Sequence, residues 1–196
     1  MHYTKNNRKG EIKMLNSIRT NLNTLEYMIF FWQSVLDREK VGEYYLTEIA
    51  SQPEMQILYS EEFTEESVRK SLSAITNREV LSDALPTERQ FWNNNMWIVE
   101  DSEMFSLMIA PIKSLSLESL KDKLNAMANI PHDTIEVIFI PALKDECYFE
   151  ANKIYINFFK VSVDMIMGTG DVTISGKTLE DYIVAKVMEM EGVSGK

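Results

Sequence analysis

Cysteine is almost missing from this chain. Cys147 is the single one among 196 residues, which excludes an intrachain disulfide and suits a reducing, cytoplasmic setting. Histidine is nearly as scarce. His2 and His132 are the only two, so a histidine-rich zinc site is out of reach and any nucleophile–histidine pair would have to use His132. Long apolar runs are missing as well. The densest, Met28 to Trp32, falls far short of the roughly 20 residues of a spanning helix, so no membrane insertion is expected. Basic residues are in deficit, 20 against 30 acidic, giving a formal charge of −10. Phosphate backbones attract basic surfaces, so no nucleic-acid partner is expected.

What is present is ordinary for a folded domain. Hydrophobic residues make up 45% and charged residues 26%, far from the polar balance that keeps chains disordered. A chain of this length buries roughly 70% of its unfolded surface and needs neither disulfide nor metal to fold. No cofactor is expected.

Residues 1–13 are polar, with Lys5, Arg8, Lys9 and Lys13 against Glu11, and read as a flexible leader; Met14 is a candidate start. The strongest pattern comes next. Leu15, Ile18, Leu22, Leu25, Ile29, Trp32 and Leu36 recur at alternating steps of three and four, widened by Met28, Phe31 and Val35. That spacing predicts one long amphipathic helix, ended near Gly42, whose apolar stripe is either the central core or a self-association face. Short helices are expected over 43–50, after Ser51 with Glu54 in capping-box spacing, after Thr64, after Asn77, and after Thr87 with Gln90. Residues 14–95 thus read as a helical half.

The period changes over 96–191, read as a mixed half integrated with the first. Met96 to Glu100 and Met104 to Ala110 are expected as strands around a turn at Asp101-Ser102. A helix carrying Leu117, Leu120, Leu124 and Met127 follows, then a β-branched strand over Thr134 to Ile140. Strands at Cys147 to Glu150 and Ile154 to Phe159 flank an Ala151-Asn152 turn. A short strand over Val172 to Ile174 and a helix opened by Thr178 complete the pattern, with 192–196 as a loose tail. The fold class is α+β: a helical N-terminal half packed against a mostly antiparallel sheet with two flanking helices.

Candidate chemistry is sparse. Ser175-Gly176-Lys177-Thr178 resembles the end of a phosphate-binding loop, but the position of its first glycine holds Asp171, and a turn followed by a helix cap explains it equally. Cys147 follows Asp145 and Glu146, whose charges oppose a thiolate. A hairpin pairing with 134–140 would leave His132 about eight residues, roughly 25 Å, away along the strand. The acidic runs Glu61, Glu62, Glu65, Glu66 and Asp145, Glu146, Glu150 lack EF-hand spacing and read as solvated surface. Phe91, Trp92, Asn93, Asn94, Asn95, Met96 and Trp97 form either core anchors or a stacking platform.

The order of elements over 117–190 (helix, strand, strand pair, helix) is similar to the core of gluzincin-type metallopeptidases. In that family the last helix carries H-E-x-x-H. Here Tyr182 to Met190 hold no histidine, so the resemblance implies a catalytically inactive relative. Two function classes follow. The first is a non-enzymatic protein-interaction or regulatory module, with a protein partner or self-association through the 15–36 stripe. The second is a small-molecule-binding protein or enzyme using carboxylate and tyrosine groups in a pocket. A ligand-shaped pocket favours the second and an exposed apolar patch favours the first.

Overall fold

A computed structural model describes residues 14–164 and 171–192. The leader, the 192–196 tail beyond Gly192 and the question of a start at Met14 lie outside the described residues or are not decided by them.

The 15–36 stripe is not one helix. Ser17–Asn21 forms strand β1, and only Asn23–Leu36 is helical, as α1. Ile18 and Thr20 are β-branched, and five residues of β1 pair in parallel with Thr134–Ile138 of strand β2 (Thr134–Ile140). That ladder overrides a three-four spacing that a helix would also satisfy. The Asn21 side chain then accepts from the Asn23 N–H at 2.9 Å, turning the chain into α1.

Helix α2 (Glu43–Ala50) occupies the span the pattern predicts. A 3-10 turn over Pro53–Leu58 follows, and its Glu54 does not close a capping box with Ser51. Its carboxylate accepts instead from Asn21 (3.0 Å) and the Thr24 hydroxyl (2.9 Å), tying this turn to the β1–α1 junction. Thr64 caps α3 (Glu65–Asn77) as expected, accepting from Ser67 N–H at 3.3 Å. Asn77 is the last residue of α3 and opens no helix; regular structure resumes at α4 (Pro86–Glu100), where the Glu88 carboxylate accepts from the Leu85 N–H at 3.0 Å.

The two strands expected over 96–110 are helical. Met96 to Glu100 complete α4, and Ser102–Lys113 forms α5, started by Asp101 accepting from Met104 N–H at 2.9 Å. Phe91, Asn95 and Ile98 are buried along α4, and Phe105, Met108, Ile109 and Ile112 along α5. These are helical spacings that a dense apolar run disguised.

Helix α6 (Leu120–Met127) leads to β2, followed by β3 (Cys147–Glu150) and β4 (Lys153–Asn157). The four strands lie in the order β1-β2-β4-β3. β3 and β4 form the expected hairpin, but β2 pairs in parallel with β4 and not with β3. β2 is central, which explains why Val137 to Ile140 are all buried. A second, antiparallel sheet joins β5 (Ser162–Val163), β6 (Val172–Ile174) and β7 (Lys177–Thr178), whereas the four-stranded sheet is parallel across β1-β2-β4 and antiparallel only at β3. Helix α7 (Leu179–Met190) packs on the second sheet. The class is α+β.

Because β1 comes from the helical half and β2 from the mixed half, the two share one sheet and one core. Trp32 lies at its centre, fully buried, stacked on Phe158 at 5.3 Å and edge-on to Phe105 at 5.6 Å.

Candidate functional site

The C-terminal ends of α1, α3 and α4 converge on a groove of about 470 Å³. α1 contributes Val35 and Leu36, α3 contributes Ala74 and Ile75, and α4 contributes Trp92, Met96 and Val99 at helical spacing. The floor is therefore apolar. Arg38, Arg78, Glu79 and Glu100 surround it, and Val80 stands at the rim 83% exposed.

Two walls end in the same way. Arg38 (φ 63°) and Arg78 (φ 58°) both take left-handed backbone geometry, where glycine is the common choice. Arg38 N–H donates to Val35 O (3.1 Å) and Glu39 N–H to Ser34 O (2.8 Å). Arg78 N–H donates to Ile75 O (3.1 Å) and Glu79 N–H to Ala74 O (2.8 Å). These are two Schellman closures with arginine at the left-handed position. Each arginine directly follows the C-terminal, negative end of its own helix, where a cation is favoured. Arg38, Arg78, Glu79 and Glu100 form no ion pair among the described residues. The groove lining holds no serine, cysteine or histidine, and its ionisable groups are Arg38, Arg78, Glu79 and Glu100.

Of the residues the sequence singles out, Leu15, Ile18, Leu25, Ile29 and Trp32 are 4% exposed or less, and Leu22 and Leu36 are half-buried. The stripe is core in this chain, apart from Leu36, which lines the groove. The 91–97 aromatic cluster divides between roles. Phe91 is buried in the core, Trp92 lines the groove, and Trp97 is 43% exposed. Ser175 (φ 50°) and Gly176 (φ 72°) make the tight turn between β6 and β7, and Thr178 caps α7 by accepting from Asp181 N–H at 3.2 Å. The turn-and-cap explanation of this stretch holds.

Cys147 and His132 are not partners. His132 Nε2 lies 3.4 Å from Glu191 Oε1, at the far end of α7, whereas Cys147 faces Tyr182 and Lys186 on that helix. Burial pushes the Cys147 thiol up, Lys186 and the Tyr182 hydroxyl pull it back, and Glu189 adds to the rise. No group of three or more metal-ligating side chains occurs among the described residues. Of the element order behind the metallopeptidase resemblance, α6, β2 and the β3–β4 pair follow one another, but β5, β6 and β7 stand between that pair and α7, and α7 holds no histidine. No protein-family model, curated protein or solved structure matches the chain. The groove itself was not legible in the sequence. Its one local signal is the Arg-Glu pair that follows both α1 and α3, at 38–39 and 78–79.

Proposed function

We propose that this chain is a non-enzymatic binding protein that takes a small molecule with an apolar body into the groove between α1, α3 and α4. The observation that carries this reading is the groove itself. Its volume lies within the roughly 300–1,000 Å³ of small-molecule sites, and its lining is mostly aliphatic with one indole, alongside Arg38, Arg78, Glu79 and Glu100. The lone cysteine suits a cytoplasmic setting for such a protein. The test is titration with N-phenyl-1-naphthylamine, an uncharged fluorophore that brightens in apolar sites. Saturable brightening that disappears in Ala74→Trp, where an indole fills the groove, supports the reading. Equal brightening in both proteins overturns it.

A second reading, contact with a protein partner, has its own observation. On the outer faces of α1 and α2, Tyr45 stacks on Tyr27 at 5.4 Å and meets Phe30 at 4.9 Å. Phe30 is 52% exposed and the adjacent Tyr44 78%. Exposed aromatics so grouped are typical of protein interfaces. Native mass spectrometry separates the readings: a second polypeptide lost in Phe30→Ser with Tyr44→Ser supports contact through this patch, and a monomer carrying a small molecule supports the groove.

A further inference from the structure

Helices α1 and α2 pack against each other and present an outer face that carries no cation of its own. Neither helix holds a lysine or an arginine; their charged residues are Glu26, Glu43 and Glu48. Glu43 is already occupied, by the Arg69 guanidinium at 2.6 Å and the Ser73 hydroxyl at 2.6 Å. Glu26 and Glu48 enter no ion pair among the described residues. Between the two helices Arg38 and Lys40 are balanced by Asp37 and Glu39. Helical spacing sets each free carboxylate beside a ring: Glu26 one turn before Phe30, and Glu48 one turn after Tyr44. Phe30 and Tyr44 are the two most exposed aromatic side chains among the described residues, at 52% and 78%. Tyr45 braces them, its ring 4.9 Å from Phe30 and 5.4 Å from Tyr27, its hydroxyl donating to Tyr27 O at 3.1 Å. The cluster is thus fixed by its own contacts, which leaves little ordering to a binding event.

We infer that this face takes an arginine-bearing segment of a partner protein, which rests on the second reading above, contact through the patch. Charge complementarity selects the occupant. A guanidinium laid flat on Phe30 or Tyr44 meets the electron-rich face of the ring, and its N–H groups donate to the Glu26 or Glu48 carboxylate one turn away. Lysine supplies the charge but not the flat, weakly hydrated surface that stacks on a ring. An acidic segment is repelled by the same carboxylates and by a chain of formal charge −10. A second copy of this chain is disfavoured as well, because a two-fold contact sets Glu26 and Glu48 against their own counterparts.

The experiment titrates the purified full chain into a fluorescein-labelled peptide of Arg-Gly repeats and follows its anisotropy, beside Lys-Gly and Glu-Gly peptides of equal length. The wild-type chain is expected to bind the arginine peptide saturably, the lysine peptide more weakly and the glutamate peptide not at all. Phe30→Leu with Tyr44→Leu removes both ring faces without changing charge, and should weaken the arginine peptide about tenfold. Glu26→Gln with Glu48→Gln should weaken it too. Glu103→Gln with Glu180→Gln, an equal loss of charge at exposed positions on α5 and α7, should leave it within about twofold. An aromatic variant that binds like the wild type overturns the inference, as does a Glu103/Glu180 variant as impaired as the Glu26/Glu48 one, since attraction to net charge then explains everything. Absence of binding overturns it as well. If native mass spectrometry in that case still finds a second polypeptide that is lost in Phe30→Ser with Tyr44→Ser, contact through the patch stands and only the arginine chemistry falls.

Discussion

The indole N–H of Trp32 donates to the side-chain oxygen of Asn95 at 2.9 Å, and both residues are fully buried. Asn95 in turn donates to Phe91 O at 2.8 Å, so the amide is held at both ends and its orientation is set by the network. This bond joins α1 to α4 at the centre of the core. Replacing Asn95 by Ala leaves the indole donor buried without a partner, and the expected loss is about 1–3 kcal/mol. Urea denaturation measures it. Asn95→Ala combined with Trp32→Phe should cost less than the sum of the two single changes, because the second removes the group the first has orphaned.

Acid should destabilise the fold through carboxylates held low. The Ser73 hydroxyl and Arg69 hold Glu43 below the usual range, and Arg69 does the same for Glu66. At Glu88 burial acts upward, but the Leu85 N–H and Lys70, 3.2 Å away, outweigh it. A lowered folded pKa contributes stability that is present above the unfolded value, about 4.3, and is lost as the pH falls through the folded value. Melting temperature should therefore drop as pH is taken below about 4.5, and Glu88→Gln should flatten part of that slope. An unchanged slope in Glu88→Gln would remove Glu88 from the account.

Alkali works through the phenols, with the opposite sign. Burial pushes Tyr45 up to about 12, and burial also raises Tyr59, Tyr155 and Tyr182. A raised folded pKa contributes stability that is complete below the unfolded value of about 10 and is lost as pH rises towards the folded one. Ultraviolet titration should show these tyrosines ionising only together with unfolding, above about pH 10. Free titration of all eight tyrosines near their ordinary value in the folded chain would contradict the burial seen here.

The β3–β4 turn carries a residue in an unfavourable backbone region. Ala151 has φ 51°, which costs a side chain about 1 kcal/mol that glycine avoids. Ala151→Gly is expected to raise stability by about 0.5 kcal/mol, after the greater entropy of glycine in the unfolded chain is set against the relief. The check is the denaturation midpoint at an unchanged slope.

A matched pair of changes probes the arginine-ended helices. Arg38→Gly and Arg78→Gly relieve left-handed geometry but lose a cation at a helix C-terminus, worth about 0.3–1 kcal/mol. The two effects nearly offset, and each variant should remain within about 0.5 kcal/mol of the wild type by thermal or chemical denaturation. A loss well beyond that would show that the guanidinium makes a further contact in solution.

Much of the fold was written in local chemistry. Thr64 and Thr178 cap the helices their positions imply, the β-branched run Thr134–Ile140 is a strand over its full length, and Ala151-Asn152 turns the β3–β4 hairpin. These are decisions made within a few residues, by a hydroxyl beside free N–H groups or by branched side chains on a pleated surface. The groove was not legible, because its lining comes from three helices far apart in the chain and only their convergence makes it concave.

By itself, then, the sequence determined an acidic α+β chain without a disulfide, with its main caps and its central strand in place. Tertiary structure alone decided that Ser17–Asn21 is a strand, that 96–110 is helical, and that β2 pairs with β1 and β4. The physical reason is the same in each case. Apolar spacing at Leu15 and Ile18, or across Met104 to Ala110, satisfies more than one period, and the choice falls to whichever partner surface the rest of the chain presents.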